Sequence, residues 1–205
     1  LYILSFGAPL IFHQMSFFMK GQFDRIIIYE YFPVESLGVY AAGYQLASIF
    51  PLILMALNKA AVPVIYENLK LKRIDGSNFL KWGRYSFAFA LIPALIAFLI
   101  PEYIYELILG DGFENVKYFT VIFLVGLSFS LPYLCLVNYL FYLGKNKEIA
   151  YCTFSTSLIY VLCIYLFSSY DIKLVPISLI ISNILLVIVL FYYVKRLNLS
   201  LKSSG

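Results

Sequence analysis

Charge is scarce in this chain. Asp, Glu, Lys and Arg make up 13% of its 205 residues, about half the share of a soluble domain. It has one His, one Trp and three Cys. A single histidine excludes a paired-His metal site within the chain. Cys135, Cys152 and Cys163 sit in apolar stretches without a Cys-x-x-Cys pair, and they read as small buried apolar residues. No phosphate loop of the Gly-x-x-x-x-Gly-Lys-Ser/Thr type occurs. His13 has no Ser or Cys beside it in a strand-turn-helix setting, so no nucleophilic triad is legible. Glu102 and Glu106 lie one helical turn apart, and they read as a solvated helix end rather than an acid/base pair. The expectation is therefore not an enzyme: no catalytic residue, no metal and no cofactor. Nothing points to nucleic acid as a partner.

Apolar side chains take up the space that charge leaves. They form 62% of the chain without counting glycine, and the mean hydropathy is +0.88. Such a composition excludes a soluble surface and a disordered chain. Helices and closed barrels are the two structures that satisfy backbone groups in lipid. The apolar runs here are long and do not alternate, which predicts helices. The fold class read from them is an all-α integral membrane protein with six transmembrane helices. The spans run from about residue 2 to 32, from 36 through 57 with a helical extension to 69, from 79 to 100, from 116 to 143, from 150 to 169, and from 174 to 193. Residues 1–205 form one six-helix bundle without a soluble domain or a convincing repeat. The Asp75-Gly76 pair predicts a turn in the longest polar stretch, and Gly110-Asp111-Gly112 predicts another.

Basic residues distribute unevenly over the connections. Eleven lie between Lys59 and Arg84, in the turn after Leu143, or in the tail. Only Lys117 and Lys173 lie in the alternate connections, and Lys20 and Arg25 fall within the first span. The positive-inside rule then places both ends of the chain and the 59–84 connection in the cytoplasm. Asn198-Leu199-Ser200 matches a glycosylation sequon, but it falls on the cytoplasmic side and carries no weight.

The first span is the informative one, because Lys20, Asp24 and Arg25 interrupt an apolar helix. A charge at the helix centre costs about 2.5–3.5 kcal/mol even on the lenient insertion scale. These groups must face protein or water. His13, Phe17, Lys20 and Asp24 share one helical stripe, on which Lys20 and Asp24 can pair. Gln14, Gly21 and Arg25 occupy the neighbouring stripe. One side of the helix is thus polar and suited to lining a cavity. In the competing reading, Asp24 and Arg25 bind neighbouring helix ends and only fix packing, and His13 is a satisfied core residue. Pro9, Pro51, Pro63, Pro93, Pro132 and Pro176 lie in or near the apolar helices and predict kinks. Kinks plus a polar stripe favour a transporter over an anchor, with simple packing geometry as the alternative.

Several stretches carry a family resemblance. Asp24-Arg25-Ile-Ile-Ile followed by Leu37-Gly38-Val39-Tyr40-Ala-Ala-Gly-Tyr44-Gln-Leu-Ala47 resembles a signature of bacterial polysaccharide flippases of the Wzx type, within the MATE-like superfamily of multidrug and oligosaccharidyl-lipid exporters. The run Ala56-Leu57-Asn58-Lys59-Ala60-Ala61-Val62-Pro63-Val64-Ile65-Tyr66 and the tail Phe191-Tyr192-Tyr193-Val194-Lys195-Arg196 are also similar to family segments. The resemblance implies one half, the C-terminal one, of a transporter with two six-helix bundles around a cavity. The chain enters a membrane segment at Leu1, which fits a missing N-terminal half of the same protein as partner. An even span count gives two halves of like orientation.

The implied function is flipping a polyprenyl-diphosphate-linked oligosaccharide from the inner to the outer leaflet of the bacterial cytoplasmic membrane, for cell-surface polysaccharide (O-antigen) biosynthesis. The partners are then the lipid-linked oligosaccharide, membrane lipid and the other half. The pathway candidates are His13, Gln14, Lys20, Asp24 and Arg25, with coupling to a proton or sodium gradient. Lys20 suits the diphosphate, and Asp24 and His13 are candidate proton carriers. The alternatives are a cation-coupled multidrug exporter of the same superfamily and a membrane polysaccharide polymerase or acyltransferase. A non-catalytic scaffold fits six kinked, charged spans poorly.

Overall fold

The computed structural model describes the backbone of residues 2–110 and 112–203 and the side chains of residues 11–110 and 112–200. The side chains of Pro9 and Lys202, and Asp111 altogether, lie outside the described residues. Everything regular within them is helical, with no strand.

The helices follow the prolines and caps. Helix α1, Tyr2–Tyr31, stops before Pro33, which takes an extended conformation and caps α2, Val34–Lys70. At 1.5 Å per residue α2 is about 55 Å long, far beyond the ~30 Å hydrocarbon layer. Pro51 and Pro63 lie inside it without ending it. The expected Asp-Gly turn proves to be a helix start. Asp75 accepts from the backbone N–H groups of Ser77 and Asn78 at 2.9 and 3.3 Å, and the Asn78 side chain accepts from Asp75 N–H at 3.0 Å. This capping box starts α3, Gly76–Phe89, three residues earlier than expected.

The third column breaks at Ala90–Leu91 and resumes as α4, Ile92–Leu99, because Pro93 has no N–H to continue the ladder. Pro101 then caps a short helix, α5, Glu102–Leu109, with Glu102 in its first turn, where the sequence suggests a solvated helix end. Gly110 (φ 85°) and Gly112 (φ 97°) follow in the left-handed region, as the expected turn requires. The fourth column is α6, Val116–Ser128, and α7, Ser130–Tyr142, broken at Phe129 ahead of Pro132. Helix α8 is Asn146–Ser168, and a 3-10 turn at Ile172–Leu174 leads to α9, Ile177–Ser203. Helix α9 continues ten residues past the expected end, because Val194 and Asn198 stay buried and Asn198 docks on Ser77 at 3.2 Å.

The contacts set the directions of the columns. Phe12–Phe154 and Tyr31–Tyr165 ring contacts make α1 parallel to α8. Tyr40–Phe123 and Tyr66–Tyr142 make α2 parallel to α6–α7. Phe79–Tyr139 and Phe87–Phe129 make α3 antiparallel to α7. Tyr193–Glu148, together with Thr156 and Asn183 meeting on Lys20, makes α9 antiparallel to α8. Successive columns therefore alternate. The connections that carry the basic residues meet at one end, where Gly76 adjoins Asn198 and Tyr139. At the other end Tyr118 donates to the Lys173 carbonyl. Among the described residues, five columns are long and apolar enough to cross a membrane. Helix α1 runs beside α8 over the same depth.

Two apolar cores fill the bundle. One, toward the basic end, joins Phe79, Leu136, Leu140, Ile149 and Leu190. The other joins Ile28, Tyr40, Phe123, Tyr160 and Ile164. Gly43 lets α2 and α6 touch: a Cβ there would lie 2.5 Å from the Cβ of Phe119. Such small-residue crossings are a normal membrane packing device.

Candidate functional site

Helix α1 turns its polar stripe inward, against α2, α7, α8 and α9. His13, Ser16, Lys20 and Asp24 are all buried. Their spacing of three or four residues puts them on one face, and the facing α8 answers with Thr153, Thr156, Ser157 and Tyr160, buried at the same period.

Three polar nodes lie along this seam. At the first, His13 Nδ1 is 3.0 Å from Thr153 Oγ1, and Tyr133 Oη is 3.2 Å from Nε2. Thr153 directs its own proton to the Ile149 and Ala150 carbonyls, at 3.0 and 3.1 Å. The bonding thus suits a ring that donates from Nδ1 and accepts Tyr133 O–H at Nε2. Both nitrogens are satisfied, as the core reading of His13 expected.

At the second node, Lys20 Nζ donates to Thr156 Oγ1 at 3.3 Å and to Asn183 Oδ1 at 3.0 Å. The Asn183 amide nitrogen is held by the Gly126 carbonyl at 3.0 Å, so its oxygen must face the lysine. A cleft of about 10 Å³ lies here, lined by Ser16, Phe17, Lys20, Thr153 and Leu186. That is about the volume one water requires.

Asp24 forms the third node and is fully buried. It accepts from Tyr40 O–H at 2.7 Å and from Arg25 N–H at 2.9 Å, and Tyr160 also hydrogen-bonds to it. The Arg25 guanidinium is 3.7 Å away. That guanidinium also donates to the Gly21 carbonyl and lies over the Tyr44 ring, 4.6 Å from its centre.

Lys20 and Asp24 do not pair, although they share a stripe. Lys20 extends to α8 and α9, whereas Asp24 is taken up by α2, α8 and its neighbour Arg25. Gln14 is exposed, on the open flank of α1. Arg25 is 22% exposed, eleven residues on from Gln14 and so on the same side of α1. Thr153, Thr156 and Asn183 are partners that the sequence alone does not single out. The repeated polar residues of α8, at Thr153, Thr156, Ser157 and Tyr160, were the available signal. Asn183, isolated in an apolar run, had no pattern to reveal it. Outside the seam, Asn138 donates to Asn58 at 2.7 Å and joins α7 to α2. Among the described residues no cluster of three potential metal ligands occurs.

The chain is similar to known proteins over nearly its whole length. A family model described as "Polysaccharide biosynthesis protein" matches residues 1–118, the part that contains α1 and α2. "Lsg locus putative protein 1" of Haemophilus influenzae is 44% identical over 200 residues, 98% of this chain and 50% of that protein. An "Uncharacterized membrane protein" of the same organism is 38% identical over 195 residues, covering 95% of this chain and 48% of the relative. The chain spans about half the length of the curated relatives it matches. No solved structure matches it. A family match across more than half of a multi-pass helical chain, including the helix that carries its buried charges, decides the assignment: the chain belongs to the polysaccharide biosynthesis protein family and is a multi-pass membrane member of it.

Proposed function

We propose that this chain is one six-span half of a transporter that flips a polyprenyl-diphosphate-linked oligosaccharide to the outer leaflet of the bacterial cytoplasmic membrane. One observation carries the reading: ionisable groups held on the inner face of a helix within a membrane bundle. Such groups are costly in lipid and mark substrate or ion pathways. The family's link to polysaccharide synthesis supports a glycan as the cargo. The parallel course of α1 and α8 supports α1 as the sixth span.

On this reading Gln14 and Arg25, three turns apart toward the open flank of α1, contact the diphosphate and sugar head. A guanidinium suits bidentate phosphate contacts. His13, Lys20 and Asp24 act from inside the bundle. The basic end faces the cytoplasm, and the partner is a second six-helix half of the same polypeptide.

Deleting the gene for the full-length protein tests this. The lipid-linked oligosaccharide should accumulate on the inner leaflet, beyond reach of a membrane-impermeant sugar-oxidising probe. Accumulation on the outer leaflet would instead indicate a polymerase or transferase acting after flipping.

A further inference from the structure

Lys20 is buried inside the bundle, and among the described residues no carboxylate contacts it. The carboxylate on its own stripe, Asp24, is one turn away and engaged by Tyr40, Tyr160, Arg25 N–H and the Arg25 guanidinium. Both partners of Nζ are neutral oxygens. Thr156 donates its own proton to the Thr153 carbonyl at 3.0 Å, and the Asn183 amide nitrogen is bound to Gly126. Each therefore offers Lys20 an acceptor. A neutral amine has two N–H bonds and finds two acceptors here. An ammonium has three, and the third needs another oxygen. The cleft beside Lys20 has the volume of about one water, and its wall residue Phe17 is 45% exposed, so the cleft approaches the surface.

The other ionisable groups near the seam are committed to partners. On α1 they are His13, Asp24 and Arg25; on α2, Tyr40 and Tyr44; on α7, Tyr133; on α8, Tyr160. Helix α9 brings none between Ile177 and Phe191. His13 is satisfied at both nitrogens as a neutral ring, and Asp24 is satisfied as a carboxylate.

We infer that Lys20 is the proton-exchange site of this protein, alternating between an amine held by Thr156 and Asn183 and an ammonium completed by water in the adjoining cleft. The step moves one proton: Lys20-NH2 takes it from hydronium, leaves water, and returns it on the other side of the cycle. This rests on the transport reading for its role in coupling, but the exchange itself does not.

Two experiments on the full-length protein separate these. The first follows the Nζ signal of 15N-lysine-labelled protein in nanodiscs as pH varies, with Lys20 assigned by its loss in Lys20→Arg. An amine-to-ammonium transition at Lys20, separate from that of the lysines at the basic end, is expected. A Lys20 that stays ammonium throughout, or titrates with the surface lysines, would overturn the proposal whether or not the protein transports sugar.

The second measures accumulation of a lipid-linked oligosaccharide in proteoliposomes under a one-unit pH gradient. One coupled proton gives about tenfold accumulation. Lys20→Met and Lys20→Arg should both lower this to about onefold, since Met cannot take up a proton and Arg holds charge but does not release its proton. If Lys20→Arg keeps the tenfold accumulation, or Lys20→Met abolishes gradient-free exchange that Lys20→Arg retains, Lys20 binds an anion and the coupling role is refuted. A wild-type protein that moves no sugar refutes the transport reading and leaves the titration to decide the exchange site.

Discussion

Removing the Asp24 carboxylate should destabilise the protein strongly, and the structure sets the scale. Asp24 is fully buried and holds the hydroxyls of Tyr40 and Tyr160, themselves 0% and 1% exposed. In Asp24→Ala both hydroxyls lose a buried acceptor, at about 1–3 kcal/mol each. Arg25 loses its counter-charge but keeps the Gly21 carbonyl, the Tyr44 ring and some exposure, so its loss is less than that of a fully buried partner. Breaking a buried pair costs about 3–5 kcal/mol, and that is the expected total. Asp24→Asn keeps one carbonyl oxygen, which can serve one of the two hydroxyls, and should cost about 1–3 kcal/mol.

The same geometry predicts coupling. Tyr40→Phe alone removes a charge-assisted bond and should cost about 1.5–3 kcal/mol. In an Asp24→Ala background it removes an orphaned hydroxyl, so it should be neutral or stabilising. Equilibrium unfolding of the four full-length variants in mixed detergent micelles completes the cycle. If Tyr40→Phe costs the same in both backgrounds, or Asp24→Ala unfolds like the native protein, Asp24 does not organise this node.

Three further outcomes can be checked directly. Gly43→Val should lower membrane abundance, because its Cβ would lie 2.5 Å from Phe119 Cβ and 3.1 Å from Thr120 N; Gly38→Ala, with nothing within 4 Å, should not. Asp75→Ala should cost about 1 kcal/mol through the lost cap of α3, seen as faster amide exchange in residues 76–79. On intact cells an impermeant thiol reagent should label Glu106→Cys but not Lys72→Cys in a chain lacking its native cysteines, and the reverse pattern would invert the proposed orientation.

The sequence by itself determined the solvent. An apolar content this high with so little charge has no stable place in water, and the lengths of the apolar runs set the number of columns. Prolines at 33, 93, 101 and 132 marked stops or breaks through local backbone chemistry alone. Lys20, Asp24 and Arg25 were visible as candidates because charge in an apolar helix is expensive wherever the helix packs. The same local rules misplaced the end of α9, where burial of Val194 and Asn198 against distant residues prolongs the helix.

Only the tertiary structure decided what the charges do. Stripe spacing allowed Lys20 to pair with Asp24, but spacing along one helix carries no information about acceptors on others. Tyr40, Tyr160, Thr156 and Asn183 arrive from α2, α8 and α9, 16 to 163 residues away. Their placement leaves Asp24 with an ion pair and Lys20 with neutral oxygens. Two charges one turn apart thereby acquire different chemistry, because the energy of a buried charge depends on the groups that replace its water.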